Sequence, residues 1–179
     1  MNQNIETMRS IVMALFVVTA ITASCTATMK EDKATEPTTE VGTGQSDETM
    51  KIAMAFMEAM GKGDMDKMTS LMHDDMVWQN EGDQSMPWIG PWEGKKAILE
   101  KFMPLFGENF QTRKWEPEDS FASGDTAAFF GRMIGLLTKS GKETTEFNYA
   151  LRVKVKDGKV ILWNWFEDSY AVSNAYHGK

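Results

Sequence analysis

The sequence is poor in the residues that most often build metal and redox sites. It has one cysteine, so no internal disulfide can form, and only two histidines. His73 lies in a polar His-Asp-Asp segment at a predicted helix end, where a capping or solvent-facing role is expected, and His177 lies in the C-terminal tail. No His, Cys and Asp cluster has metal-ligand spacing, so we predict neither a metal nor a cofactor.

Basic stripes and nucleotide-binding glycine motifs are also missing. The formal net charge is −7, from 19 Lys and Arg against 26 Asp and Glu. An acidic chain without a basic stripe is not expected to bind nucleic acid or anionic lipid headgroups. The sequence has no G-x-S-x-G motif, P-loop or dinucleotide fingerprint, so nucleophilic catalysis has no evident candidate residue.

The N-terminus has the pattern of an export signal. Arg9 precedes an apolar run over residues 11–21, and Ala23, Ser24 and Cys25 follow. This order is typical of a secretory signal, and the run is too short to span a bilayer comfortably. The segment from Ile21 to Cys25 resembles a bacterial lipobox. That resemblance implies that Cys25 is lipidated and holds the protein to a membrane of the bacterial cell envelope, periplasmic or surface-exposed. An ordinary cleavable signal is the alternative.

Three regions are predicted from composition. Residues 1–24 form the signal peptide, residues 25–48 a flexible tether, and residues 49–176 one folded domain. The tether is rich in Thr, Glu and Gly and has no aromatic residue, so it cannot bury enough apolar surface to offset its ordering entropy.

The folded domain begins with helical patterns and ends with strand patterns. Methionines at helical spacing predict a first helix with an apolar stripe: Met50, Met54, Met57 and Met60. Thioethers can also bind Cu(I), but methionine at this spacing usually fills a core. A second helix after Asp64, a strand to Asn80 and a third helix over residues 94–106 are predicted next. Four strands follow, over residues 110–121, 126–138, 143–155 and 160–172, with Gly-containing turns between them.

This element order resembles the nuclear transport factor 2-like superfamily, in its SnoaL-like branch. The resemblance is carried by the segment from Gly63 to Trp78 and by the aromatic strand V-I-L-W-N-W-F-E-D-S near the C-terminus. It implies an α+β fold in which a cone-shaped, curved antiparallel sheet wraps around three helices and leaves a cavity at its wide end. Many members of the superfamily dimerise through the outer sheet face, so a homodimer is one alternative.

Two enzyme activities of the superfamily were compared with the sequence. At the tyrosine and base positions of ketosteroid isomerases stand Phe56 and Asn80, which cannot perform those roles. Limonene-epoxide-type hydrolases match better, since Asn80 and Arg132 are retained. Their two essential carboxylates are replaced by Ile134 and Trp165, so no base remains for that mechanism.

The same alignment predicts an aromatic-walled pocket for a small, largely apolar molecule, without established catalysis. Its residues are Trp78, Asn80, Arg132, Trp163, Trp165 and Glu167. We expect the Arg132 guanidinium inside the cavity, beside Glu167 or a bound anion, because an unpaired charge in an apolar strand would be costly. Alternatively, the domain is an isomerase, cyclase or hydrolase that uses Glu167, or Glu81 and Asp83 of the mouth loop, as its base.

Overall fold

The computed structural model describes residues 43–179. Its helices and strands follow in the order α1 (Thr43–Lys62), α2 (Met65–Leu71), β1 (Met72–Asn80), β2 (Gly90–Glu93), α3 (Lys95–Ala97), a π-helical segment (Ile98–Phe102), α4 (Met103–Asn109), β3 (Phe110–Ser123), β4 (Thr126–Leu137), β5 (Lys142–Glu143), β6 (Phe147–Lys156), β7 (Lys159–Glu167) and α5 (Ser169–Tyr176). The predicted signal peptide, Cys25 and most of the predicted tether lie outside the described residues.

All seven strands form one curled sheet in the order β2-β1-β7-β6-β4-β3, with β5 paired to β4. The α+β cone predicted from the sequence is therefore confirmed. The sheet is mixed rather than purely antiparallel, because β1 and β7 run parallel, with Trp78 opposite Trp163 and Asn80 opposite Trp165. Residue patterns show which face of a strand is buried but not which direction its neighbour runs, so the sequence could not reveal this pair.

The inner sheet face is built from rows of residues that lie opposite one another on neighbouring strands. The first row runs from Ala127 through Val153 and Trp163 to Trp78, and all four side chains are buried. The second row is Ser120, Phe129, Leu151, Trp165 and Asn80. The third is Pro117, Gly131, Tyr149 and Glu167. The core lies between these rows and the helices.

The helix α1 begins at Thr43, inside the predicted tether, and packs on the sheet with Ala53, Phe56 and Met57 buried. Ser46 accepts a hydrogen bond from the Gly124 amide at 3.0 Å, and Thr49 donates one to the Gly124 carbonyl at 2.8 Å. These two bonds fasten the helix to the β3–β4 turn. Met54 belongs to the predicted buried stripe but is 55% exposed, because the stripe centres on Ala53 and Phe56.

The C-terminal segment differs from the prediction of one strand over residues 160–172. Strand β7 ends at Glu167, and Asp168 then caps α5 by accepting hydrogen bonds from the amides of Tyr170 and Ala171. A carboxylate at an N-cap satisfies amides that have no partner within the helix, so the chain turns helical here. None of the helices between residues 43 and 179 is long and apolar enough to cross a membrane.

Candidate functional site

Three of the six predicted pocket residues lie in the packed core. Trp78 and Trp163 stack with ring centroids 5.0 Å apart, and Phe56 packs against both. The Asn80 amide accepts a hydrogen bond from Trp78 Nε1 at 3.1 Å and donates one to the Trp88 carbonyl at 3.4 Å. These side chains lie on the inner face, as predicted, but they fill the core instead of lining an open space.

Toward the C-terminal end of β7, Trp165 and Tyr149 form an aromatic pair in which Trp165 is partly accessible and Tyr149 is buried. Their rings stack with centroids 4.7 Å apart. The Tyr149 hydroxyl accepts a hydrogen bond from Trp115 Nε1 at 2.6 Å, and burial raises the pKa of this phenol. The three side chains therefore hold one another in place on the inner face.

Glu167 is the unusual polar residue of this end. Trp165 Nε1 donates a hydrogen bond to Glu167 Oε2 at 3.0 Å. Oε1 is buried and, within residues 43–179, is the one buried side-chain nitrogen or oxygen that has no hydrogen-bond partner. Desolvation by burial, with a smaller contribution from the neighbouring Asp168 charge, raises the pKa of Glu167 to about 7. A buried carboxyl that changes its protonation near neutral pH is a recognised mark of a functional site.

Arg132 does not join this group, and the expectation of its guanidinium inside the cavity is wrong. It lies on the outer sheet face, where it forms ion pairs with three carboxylates: Glu118 at 2.6 Å, Glu146 at 3.0 Å and Glu116 at 3.2 Å. Its neighbours Gly131 and Met133 face inward. The run A-A-F-F-G-R-M-I-G-L-L is apolar on both faces, so its pattern does not fix the face, and a one-residue slip reverses every side chain.

A cleft of about 170 Å³ opens between α1 and β3. It is lined by Met54, Met57, Pro117, Glu118, Asp119, Ser120 and Phe129. Phe129 belongs to the same row as Trp165, and Pro117 to the same row as Tyr149 and Glu167. The cleft therefore lies at the β3 end of these two rows, on the far side of β4 and β6 from Trp165 and Glu167.

The loop between β1 and β2 covers Glu167. A Cβ atom on Gly82 would lie 3.6 Å from Glu167 Oε1 and 3.0 Å from Ile89 Cδ1. The tip of this loop is fastened to α5, since Ser173 donates a hydrogen bond to Asp83 Oδ2 at 2.5 Å. Ser85 Oγ lies 3.0 Å from His177 Nε2. Access to Oε1 thus requires the loop tip to move.

The loop carboxylates that were alternatives for a base are engaged elsewhere. Hydrogen bonds from the Ser173 hydroxyl and from the Ser85 amide hold the pKa of Asp83 well below its usual range, so this carboxylate is a poor base. Glu81 accepts a hydrogen bond from Asn164 at 3.2 Å. In the described part of the chain, no group of three or more His, Cys, Asp and Glu side chains is placed to hold a metal ion.

Sequence reasoning missed Tyr149 and Trp115. Tyr149 belongs to the site because the strand register puts it opposite Glu167. Trp115 belongs to it because its indole donates a hydrogen bond to the Tyr149 hydroxyl. Alternation along β6 marks Phe147, Tyr149, Leu151 and Val153 as one buried face, so that signal was present in the sequence. What it lacked was the bulge between Lys154 and Val155, which shifts the β6–β7 register so that Tyr149 lies opposite Glu167.

The sequence matches the SnoaL-like domain family over residues 53–163. The chain belongs to this family. Among curated proteins no sequence matches it.

Solved structures with the same fold include enzymes and proteins described only by fold. An NTF2-like protein from Burkholderia xenovorans is 23% identical, with a TM-score of 0.65 over 73% of this chain and 97% of that one. TerC, co-crystallised with polyporic acid, is 18% identical, with a TM-score of 0.63 over 73% of this chain and 98% of its own. An LEH-like epoxide hydrolase from M. tuberculosis is 18% identical, with a TM-score of 0.56 over 74% of this chain and 91% of that one. At these identities the likeness shows the fold alone.

Proposed function

We propose that this SnoaL-like domain is exported, is anchored through a lipid on Cys25, and binds a small, largely apolar molecule on the inner sheet face. The ligand lies beside Tyr149 and Trp165, with Glu167 as its polar contact. The observation that carries this proposal is the buried Oε1 of Glu167. A buried polar atom without a partner costs free energy, and such atoms are concentrated where a protein has a functional use for them.

The cleft of about 170 Å³ between α1 and β3 lies on the same inner face and has apolar walls, but Tyr149, Trp165 and Glu167 are not among its lining residues. Its walls include Met54 and Met57, whose unbranched thioether side chains adapt to different shapes. TerC, which has the same fold, was co-crystallised with polyporic acid.

A thermal-shift screen of one-ring apolar compounds tests the binding proposal. Compounds that raise the melting temperature of the wild type should lose that effect in Trp165→Leu. Trp92→Leu is the matched control, because Trp92 is also partly buried but packs against Phe102 at a distance from Glu167 along the sheet. Equal loss in both variants, or no compound that shifts the wild type, would reject the proposed site.

The anchor is tested independently of the ligand. Acyl chains contribute ~0.8 kcal/mol per buried CH₂ group, so several chains on one residue anchor a protein stably. The full-length wild type should fractionate with bacterial membranes, and Cys25→Ala should move to the soluble fraction. Ser24→Ala is a control that changes a neighbouring residue and keeps the thiol. Membrane association that survives loss of Cys25 contradicts the anchor.

A second candidate function, assembly as a homodimer, is favoured by an aromatic patch on the outer sheet face. Phe121, Phe130 and Phe166 are 60%, 37% and 41% exposed, and the first two rings stack at 5.8 Å. Exposed apolar clusters often mark protein interfaces. Light scattering should show a dimer that Phe121→Ser weakens, while Tyr170→Ser, which removes an exposed aromatic ring from α5, leaves it intact. A monomeric wild type excludes this function.

In the enzyme alternative, Glu167 is the first candidate for the base, since the pKa of Asp83 is held low and Glu81 accepts a hydrogen bond from Asn164. A carboxyl whose pKa is about 7 can exchange a proton near neutral pH. Turnover with a bell-shaped pH profile that Glu167→Gln abolishes would establish catalysis. Turnover that persists in this variant excludes Glu167 as the acid or base.

A further inference from the structure

We propose that the inner-face site selects neutral ligands that carry a hydrogen-bond acceptor, such as a carbonyl oxygen, and that Glu167 is the donor that recognises it. This inference rests on the proposed function, since it names the class of molecule that would occupy the same site. It is carried by the hydrogen bonds around the Glu167 carboxyl.

Among the described residues packed around Glu167, none carries a positive charge that could pair with its carboxyl. On its own strand the next residue is Asp168, which is acidic, and the residue opposite on β6 is Tyr149. The covering loop contributes Gly82, flanked by the acidic Glu81 and Asp83, and Ile89. Arg132 and Arg152 lie on the outer face, bonded to Glu118 and Asn164 respectively. A buried carboxylate without a countercharge is disfavoured, so the neutral acid is the stable form in this environment.

The bond from Trp165 determines which oxygen holds the proton. Trp165 Nε1 can only donate, so Glu167 Oε2 must accept. In a carboxylic acid the carbonyl oxygen is the better acceptor and the other oxygen carries the hydrogen. Oε1 is therefore a hydroxyl donor, and it is the oxygen for which the described residues supply no partner.

A donor that lacks an acceptor sets the chemistry of the ligand. Ketone, ester and amide oxygens complete the bond, whereas an ammonium group brings a second donor and requires the ionised carboxylate. A purely apolar molecule that enters when the loop tip moves leaves Oε1 unpaired. The site thus discriminates by the cost of leaving a buried polar group unsatisfied, which is a strong source of specificity.

The test uses three probes with the same carbon skeleton: ethylbenzene, acetophenone and 1-phenylethylamine, the last as its ammonium ion. Binding is measured for the wild type at about pH 5.5 and about pH 8.5, on either side of the expected titration of Glu167. At the lower pH acetophenone should bind about tenfold tighter than ethylbenzene, the equivalent of one hydrogen bond. At the higher pH this preference should be lost.

Glu167→Gln is the informative variant, because its amide can accept from Trp165 and place an N–H donor at the position of Oε1. It should keep the preference for acetophenone at both pH values. Glu167→Leu should lose it at both.

The outcomes separate the two proposals. Binding of ethylbenzene and acetophenone with equal affinity at both pH values overturns the donor assignment and leaves the binding site standing. Preference for the ammonium probe, or loss of the acetophenone preference in Glu167→Gln, also overturns the assignment. If none of the three probes binds at either pH, the binding function is rejected together with this inference.

Discussion

Trp165 Nε1 donates a hydrogen bond to Glu167 Oε2 across 3.0 Å, two residues along the same strand, and Glu167 Oε1 is left buried without a partner. Residues two apart on a strand share a face, so the indole and the carboxyl lie side by side on the inner sheet surface. Within residues 43–179, this oxygen is the one buried side-chain nitrogen or oxygen without a hydrogen-bond partner.

The raised pKa of Glu167 predicts a dependence of stability on pH. Because the pKa is about 7 in the folded protein against an ordinary 4.5, the folded state binds a proton more tightly than the unfolded state. The contribution of this carboxyl to the free energy of unfolding is fully present below pH 4.5. It is lost as the pH rises through the pKa of about 7 that Glu167 has in the folded protein. The loss is up to ~3 kcal/mol in the free energy of unfolding.

Urea unfolding of wild type and Glu167→Gln across this range isolates the effect, since all other titrating groups are common to both. The variant should gain stability relative to the wild type as pH rises from about 4.5 to above 7. A difference between the two proteins that does not change with pH contradicts the burial of this carboxyl.

Gly131 allows the close contact between β3 and β4 in the row that carries Tyr149 and Glu167. A Cβ at Gly131 would lie 2.2 Å from the Glu116 carbonyl and 2.8 Å from the Tyr149 hydroxyl. Gly131→Ala should lower the free energy of unfolding by ~1–3 kcal/mol, as overpacking of a core does. In Gly107→Ala, the new Cβ of helix α4 meets nothing within 4 Å, and the variant should be neutral or slightly more stable. Equal stability of Gly131→Ala and wild type in urea denaturation contradicts the packing.

The ion pairs of Arg132 predict a surface role and no role in binding. Arg132→Gln leaves Glu116, Glu118 and Glu146 close together without their shared cation. Thermal unfolding should show a small destabilisation at low salt that shrinks at high salt, because exposed charges are screened. Ligand affinity should be unchanged. A large loss of affinity in this variant would return Arg132 to the site.

The hydrogen bond between Ser173 and Asp83 predicts the local stability of the loop tip over Glu167. Ser173→Ala should speed amide hydrogen exchange at Gly82 and Ser85, whose segment then loses its link to α5. Ser140→Ala is the matched control, since Ser140 also bonds α5, through the Ala175 carbonyl at 2.6 Å, but does not contact the loop. Unchanged exchange in Ser173→Ala would show that the buried Met86 and Trp88 hold the loop tip without this bond.

The fold could be predicted from the sequence because helical and strand periodicities were strong and the turns carried glycine. The inward faces of β1 and β7 were predicted from the alignment with the superfamily, and Trp78 and Trp163 are indeed buried. Arg132 was placed wrongly for a physical reason: β4 is apolar on both faces, so its pattern does not choose between them.

The candidate site was predictable only in part. Glu167 and Trp165 were recognised from the last strand, but their hydrogen bond and the missing partner of Oε1 depend on rotamers and on the loop that returns over them. Tyr149 became part of the site through the register of the β6–β7 hairpin, which a bulge between Lys154 and Val155 shifts. The C-terminal helix depended on one capping carboxylate, Asp168, in a segment otherwise rich in strand-forming residues.

Binding on the inner face is tested most directly by the indole signals of the six tryptophans in a ¹⁵N-correlated NMR spectrum. Acetophenone, added to wild-type protein below neutral pH, should shift the indole signals of Trp165 and Trp115, which border Glu167 and Tyr149. The signals of Trp78 and Trp163, stacked in the core, should move little. Two results would contradict a binding site on the inner face. One is that the Trp165 indole signal does not shift at saturating acetophenone, and the other is that shifts are confined to backbone amides of the outer face around Phe121 and Phe130.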